Sequence, residues 1–224
     1  MKITKRQKTW ANLDTDKVYA IADAIDALRA YSSKKFDETL EIAIRLGVDV
    51  TKADQNIRGM VSLPNGTGKS VRVAVFTVNS ADEAKKAGAD VVGGEDLIEK
   101  VAAGEINFDR VIATPDMMPK MSKIARVLGP KGLMPNPKLG TVTNNVADAV
   151  ATAKAGQIEY RAGKRGIIHA GVGKMSFATD KLVENINALV DQLKKVKPAS
   201  VKGQYILGAA VATTQGPGLK VDVK

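Results

Sequence analysis

The sequence predicts two domains of mixed class, a discontinuous α+β domain built from both termini and a Rossmann-like α/β domain inserted between its halves. Three observations predict this. Period-two hydrophobicity stands near both ends of the chain, as in sheets with one buried face. Between the ends, short apolar runs alternate with helical patterns, the signature of a parallel sheet. The breaker cluster Leu63-Pro64-Asn65-Gly66-Thr67-Gly68-Lys69 separates the two regimes. The expected boundaries are residues 1–67 with 160–224 for the outer domain and 68–159 for the insertion.

Asp14-Thr15-Asp16 is an N-cap signal, and Val18, Ile21, Ala22, Ile25 and Leu28 follow at helical spacing, predicting the first helix. From Phe36 to Leu46 the period becomes two. Leu40, Ile42, Ile44 and Leu46 point one way; Thr39, Glu41, Ala43 and Arg45 point the other, toward solvent. A second strand is expected from Ile57 to Leu63. After the breaker, Val71-Arg72-Val73-Ala74-Val75-Phe76 reads as a buried strand. A helix over 80–87, a strand at 90–92 and a helix over 96–103 follow, then the strand Arg110-Val111-Ile112-Ala113. Thr114-Pro115 suits the start of another helix, with Thr as cap and Pro in the first turn. A helix near 145–155 closes the insertion. Strands at 158–161 and 166–170 resume the outer domain. A helix over 180–195 carries the stripe Leu182, Val183, Ile186, Leu189, Val190, Leu193, and a last strand runs over 204–213.

Charge points to a polyanionic partner. The net charge is +10. The two ends hold 22 Lys and Arg against 13 Asp and Glu, whereas the middle holds 12 against 11. The outer domain is therefore the basic one. No apolar stretch approaches the ~20 residues of a membrane helix, and no membrane partner is expected. The N-terminus has no signal-peptide core, so a cytoplasmic location is expected.

Catalytic constellations are missing. There is no cysteine, and His169 is the only histidine, so paired-His and thiolate metal sites are excluded on ligand count. Gly66-Thr67-Gly68-Lys69-Ser70 resembles the end of a P-loop, but Leu63 stands where the first glycine is required. Asp82-Glu83 and Glu95-Asp96 fall in first helical turns, where anions suit the dipole. The reading is a non-enzyme without cofactor. The alternative is a nucleotide-dependent enzyme using the α/β insertion, and a third option is a general basic DNA-binding protein.

Residues 117–140 carry Lys120, Lys123, Arg126, Lys131 and Lys138 and no acid. Such a basic, Gly/Pro-punctuated stretch is a possible second RNA contact. Aromatic residues make up only 4%, which argues against recognition by stacked bases. Shape, phosphate and 2′-hydroxyl contacts from a sheet face fit better.

Several stretches carry a family resemblance. Leu128-Gly129-Pro130-Lys131-Gly132-Leu133-Met134-Pro135-Asn136-Pro137-Lys138-Leu139-Gly140-Thr141-Val142 closely resembles the bacterial signature of the universal family of large-subunit ribosomal protein one, the stalk protein. Lys35-Phe36-Asp37-Glu38-Thr39-Leu40-Glu41, Arg58-Gly59 through Leu63-Pro64, Ile168-His169 through Gly173-Lys174, and Ala212-Thr213-Thr214-Gln215-Gly216 are similar to the same family. The resemblance implies a two-domain protein of the large (50S) ribosomal subunit that binds large-subunit rRNA through its discontinuous domain. It also implies shaping of the mobile stalk, release of tRNA from the exit site, and repression of its own mRNA through a leader that imitates the rRNA site. The implied rRNA contacts are Lys35, Phe36, Thr39, Glu41, Lys174, Thr213, Thr214, Gln215 and Gly216. The family usually has methionine where Gln215 stands, which weakens an apolar contact there.

Overall fold

The computed structural model describes residues 4–11, 13–33 and 35–223. The chain is mixed α/β and divides into two compact units, Met1–Gly68 with Ile158–Lys224, and Lys69–Gln157. In chain order the first unit opens with α1 (Lys5–Thr9), β1 (Val18–Tyr19), α2 (Ile21–Tyr31), β2 (Thr39–Leu46) and β3 (Arg58–Ser62). The second unit contains β4 (Val73–Phe76), α3 (Ala81–Lys86), β5 (Val91–Gly93), α4 (Glu95–Ala102), β6 (Arg110–Ala113), α5 (Met118–Met121), α6 (Ala125–Leu128) and α7 (Val146–Lys154). The chain then continues through β7 (Gln157–Arg161), β8 (Ile167–Lys174), α8 (Thr179–Lys195), β9 (Ile206–Thr213) and β10 (Gly218–Val221).

In the first unit the main sheet has the order β1-β10-β9-β2-β8. Its ladders are antiparallel except for β1 on β10. Central β2 alternates as its period demands. Leu40, Ile42, Ile44 and Leu46 are buried, in one core with Ile25 and Leu28 of α2 and Leu182, Ile186, Leu189 and Leu193 of α8. Each such side chain contributes roughly 1.5–3 kcal/mol of transfer free energy. A separate pair, β3 with β7, is tied by Arg58 donating to Glu159 at 2.8 Å.

One polar side chain lies inside this core. Asn185 of α8 is wholly buried. Its Oδ1 accepts the Asn65 N–H (3.1 Å), and its Nδ2 donates to the carbonyls of Gly66 (2.9 Å) and Val172 (2.7 Å). The breaker cluster is thus fastened to α8 and β8 by one amide.

Tyr205 is also buried. Loss of solvation, reinforced by neighbouring Tyr160, pushes its hydroxyl from an ordinary 10.0 up to about 12. A raised acid favours the protonated folded state. Its stabilisation is complete below the unfolded value of 10.0 and is lost as pH rises through about 12. Urea midpoints should therefore fall between those pH values, and the fall should shrink in Tyr205→Phe. An identical alkaline profile in the two proteins would reject this assignment.

In the second unit the sheet is parallel, with the order β5-β4-β6. All four residues of β4 are buried because helices cover both faces. Ala74 and Phe76 meet Leu97, Val101, Met121, Ile124 and Leu128 on one side, and Val73 and Val75 meet Ala84, Val146 and Val150 on the other.

The structure corrects three local expectations. Asp14 does not cap a helix reaching Val18. Its carboxylate accepts the N–H groups of Asp16 and Lys17, closing a turn, and Val18 enters a strand instead. Thr114 precedes a helical turn with Pro115 at its start, but its side chain makes no capping bond. Residues 117–128 are less loop-like than their composition suggests. They form successive short helical turns, and Met117, Met121, Ile124 and Leu128 are fully buried. α1, β1 and β10 were not expected from the sequence.

Candidate nucleic-acid interface

The polar face of the main sheet is unusually smooth. Along β2 it presents Thr39, Glu41, Ala43 and Arg45. Register places Gly171 and Ala212 beside Glu41, His169 and Ala210 beside Ala43, and Ile167 and Gly208 beside Arg45. Gly218 and Lys220 continue the face on β10, opposite Ala212 and Ala210. Small neighbours leave the exposed Glu41 carboxylate standing clear of the sheet. It is an acceptor-only group, suited to a 2′-hydroxyl or base amino group and unsuited to phosphate.

At one end of this face three distant segments are clasped together. Thr214 Oγ1 accepts the Thr39 N–H at 3.0 Å, and the Thr214 N–H donates to the Thr39 carbonyl at 3.1 Å. Lys174 Nζ donates to the Thr39 hydroxyl (3.0 Å) and to the Asp37 carbonyl (3.1 Å). The Asp37 carboxylate accepts the Ser176 N–H (3.1 Å) and hydroxyl (2.7 Å). Beneath them the Glu38 carboxylate accepts the Ser33 N–H (2.8 Å) and lies 3.5 Å from the Gln215 nitrogen.

Lys35, Phe36, Thr39, Lys174, Thr214, Gln215 and Gly216 belong to the three segments that meet at this rim, and Glu41 stands one pleat inward on the sheet. Phe36 is an exposed large apolar side chain, 43% accessible. Thr213 is placed otherwise than expected. It is 5% accessible, because residues 209, 211 and 213 of β9 face the core. Its hydroxyl has no hydrogen-bond partner, and a Cβ added at Gly216 would stand 2.2 Å from it. Thr213 is therefore the floor beneath Gly216. Sequence reasoning missed Asp37, Glu38 and Ser176. Their partners lie across the fold, and only the structure shows that these two acids are spent on holding the rim.

In the second unit Lys120, Lys123, Arg126, Lys131 and Lys138 are exposed. Lys120 is hydrogen-bonded to Glu95 and holds that carboxyl below the usual carboxylate range. At the C-terminal ends of β4 and β6 lies a cavity of about 110 Å³ lined by Thr77, Ser80, Thr114, Asp116 and Asn144. Small-molecule sites commonly measure about 300–1,000 Å³, so this crevice is too small to enclose a nucleotide. Among the described residues no cluster of His, Asp and Glu could hold a metal, and no helix is long and apolar enough to cross a membrane.

The model of the ribosomal protein L1p/L10e family matches residues 28–217. The chain belongs to this family. It is accordingly a structural ribosomal protein, a component of the large ribosomal subunit that binds rRNA. The match begins within α2 and takes in every residue of the clasp, from Ser33 to Gly216. α1, β1 and β10 lie outside it.

Proposed function

We propose that the chain docks on the stalk region of large-subunit rRNA through the rim of Lys35, Phe36, Thr39, Glu41, Lys174, Thr214, Gln215 and Gly216. In this role it builds the mobile stalk, helps tRNA leave the exit site, and represses its own mRNA when the leader presents the same structure. It works on the ribosome in the cytoplasm, without cofactor or catalysis. The exposed lysines and arginine of the second unit supply a further contact for RNA. The observation that carries the reading is the mutual bonding of Thr39 and Thr214, residues 175 positions apart that share one surface. An exposed aromatic, a free carboxylate and flanking amines on a smooth sheet match RNA edges and 2′-hydroxyls better than they match a regular duplex backbone.

The test is binding to a transcript of the stalk rRNA region, with a scrambled RNA of equal length as control. The stalk transcript should bind more tightly, and its affinity should fall as salt rises. Thr214→Val removes the acceptor of the Thr39 N–H and should weaken stalk binding by about 1–2 kcal/mol. Equal affinity for the two RNAs would sink the proposal, and an unaltered Kd in Thr214→Val would remove that residue from it.

A further inference from the structure

A carboxylate beneath a surface meant for RNA needs a reason. Glu38 is 1% accessible, and burying a charge is unfavourable unless hydrogen bonds compensate. Its oxygens face two backbone N–H groups from opposite ends of the sequence, Ser33 at 2.8 Å and Gln215 at 3.5 Å. Its own carbonyl accepts the Met175 N–H at 2.9 Å. One residue therefore touches all three segments that form the rim. Each segment is irregular where Glu38 meets it: residues 35–38 precede β2, 175–178 follow β8, and 214–217 follow β9. No strand ladder fixes these stretches relative to one another, so their alignment depends on such cross-links.

We infer that Glu38 is a positioning residue for RNA recognition, holding the loop that carries Phe36 in register with the loop that carries Thr214, Gln215 and Gly216. This rests on the proposed rRNA-binding face. Glu38 does not touch RNA. Its carboxylate is turned into the fold toward N–H donors, so it shapes the surface without standing on it. A rigid rim binds more tightly than a mobile one because less freedom is lost on docking.

Glu38→Gln tests the inference in the full chain, with the stalk transcript and the scrambled RNA as probes. The amide keeps one acceptor but turns its NH2 toward a backbone N–H that also donates. The expected result is a Kd for the stalk transcript raised about tenfold, an unchanged Kd for the scrambled RNA, and an unchanged slope of log Kd against log salt, since no phosphate contact is lost. Circular dichroism checks that the variant is folded. Should Gln at 38 prevent folding, Ser33→Pro decides instead, compared with Ser33→Ala: both lose the hydroxyl that accepts the Lys35 N–H, and only the proline also deletes the N–H donor to the carboxylate. Ser32 already has the extended backbone, ψ 152°, that a following proline requires.

An unchanged or tighter stalk Kd in the folded variant overturns the inference; tighter binding would mean that the carboxylate acts by repulsion. Equal weakening for both RNAs also overturns it, assigning Glu38 to general charge or stability. If the unaltered protein shows no preference for the stalk transcript, the docking reading fails first, so the two failures are told apart.

Discussion

Asn185→Leu should lower the unfolding free energy of the first unit by about 3–4 kcal/mol. The replacement keeps the branching and heavy-atom count and suits the apolar surroundings, though its methyls are bulkier, so overpacking adds to the loss without being its main source. That source is three backbone groups left without partners: the Asn65 N–H and the carbonyls of Gly66 and Val172. An unsatisfied buried group is worth about 1–3 kcal/mol, the half-buried Asn65 and Gly66 groups cost less than the buried Val172 carbonyl, and the apolar leucine offsets part of the loss. Asn187→Leu, two positions along the same helix but exposed, is the control and should change stability by less than about 0.5 kcal/mol. Urea unfolding followed by circular dichroism measures both. Matching midpoints for the two variants would show that the buried amide contributes nothing.

Gly216→Ala should weaken binding to the stalk transcript by about 2–3 kcal/mol, with most of the protein's stability retained. The added methyl would stand 2.2 Å from the Thr213 hydroxyl, and Thr213 is 5% accessible with little room to turn. Overpacking of this kind costs about 1–3 kcal/mol and is relieved by backbone movement. The nearest backbone free to move is the loop carrying Thr214 and Gln215. Thr213→Ala removes the obstructing oxygen, which has no hydrogen-bond partner to lose. The double variant Thr213→Ala/Gly216→Ala should return to within about 0.5 kcal/mol of the unaltered protein, a coupling between adjacent groups. A double variant as weak as Gly216→Ala alone would remove the steric explanation.

The strands were legible where burial is one-sided or complete. β2 alternates because one face meets α2 and α8, and β4 is apolar throughout because helices cover both faces. What failed to show was polar chemistry that depends on distant partners. Asn185 reads as a gap in an apolar stripe, yet its amide makes three hydrogen bonds inside the core. Asp37 and Glu38 look like unpartnered acids until Ser176 and Gln215 arrive from the far end of the chain, and Glu38 proves to be buried. β10 has only four residues, and β1 only two; each gains its partner through tertiary contact and carries no periodic signal of its own. The rim was legible through motifs, and Thr213 shows the limit of that route. Alternation along β9 places it with Ala209 and Val211, inside.

The pairing of β2 also has a temporal meaning. Both of its neighbours come from the far end of the chain: its residues register with 167–174 and with 206–213. A protein made from its N-terminus carries this strand unpaired, with both ladder edges open, through most of synthesis. The rim is assembled only after Gly216 has left the translating machinery. On the proposed docking surface, a growing chain therefore lacks part of the rim until the segment that follows β9 has joined β2.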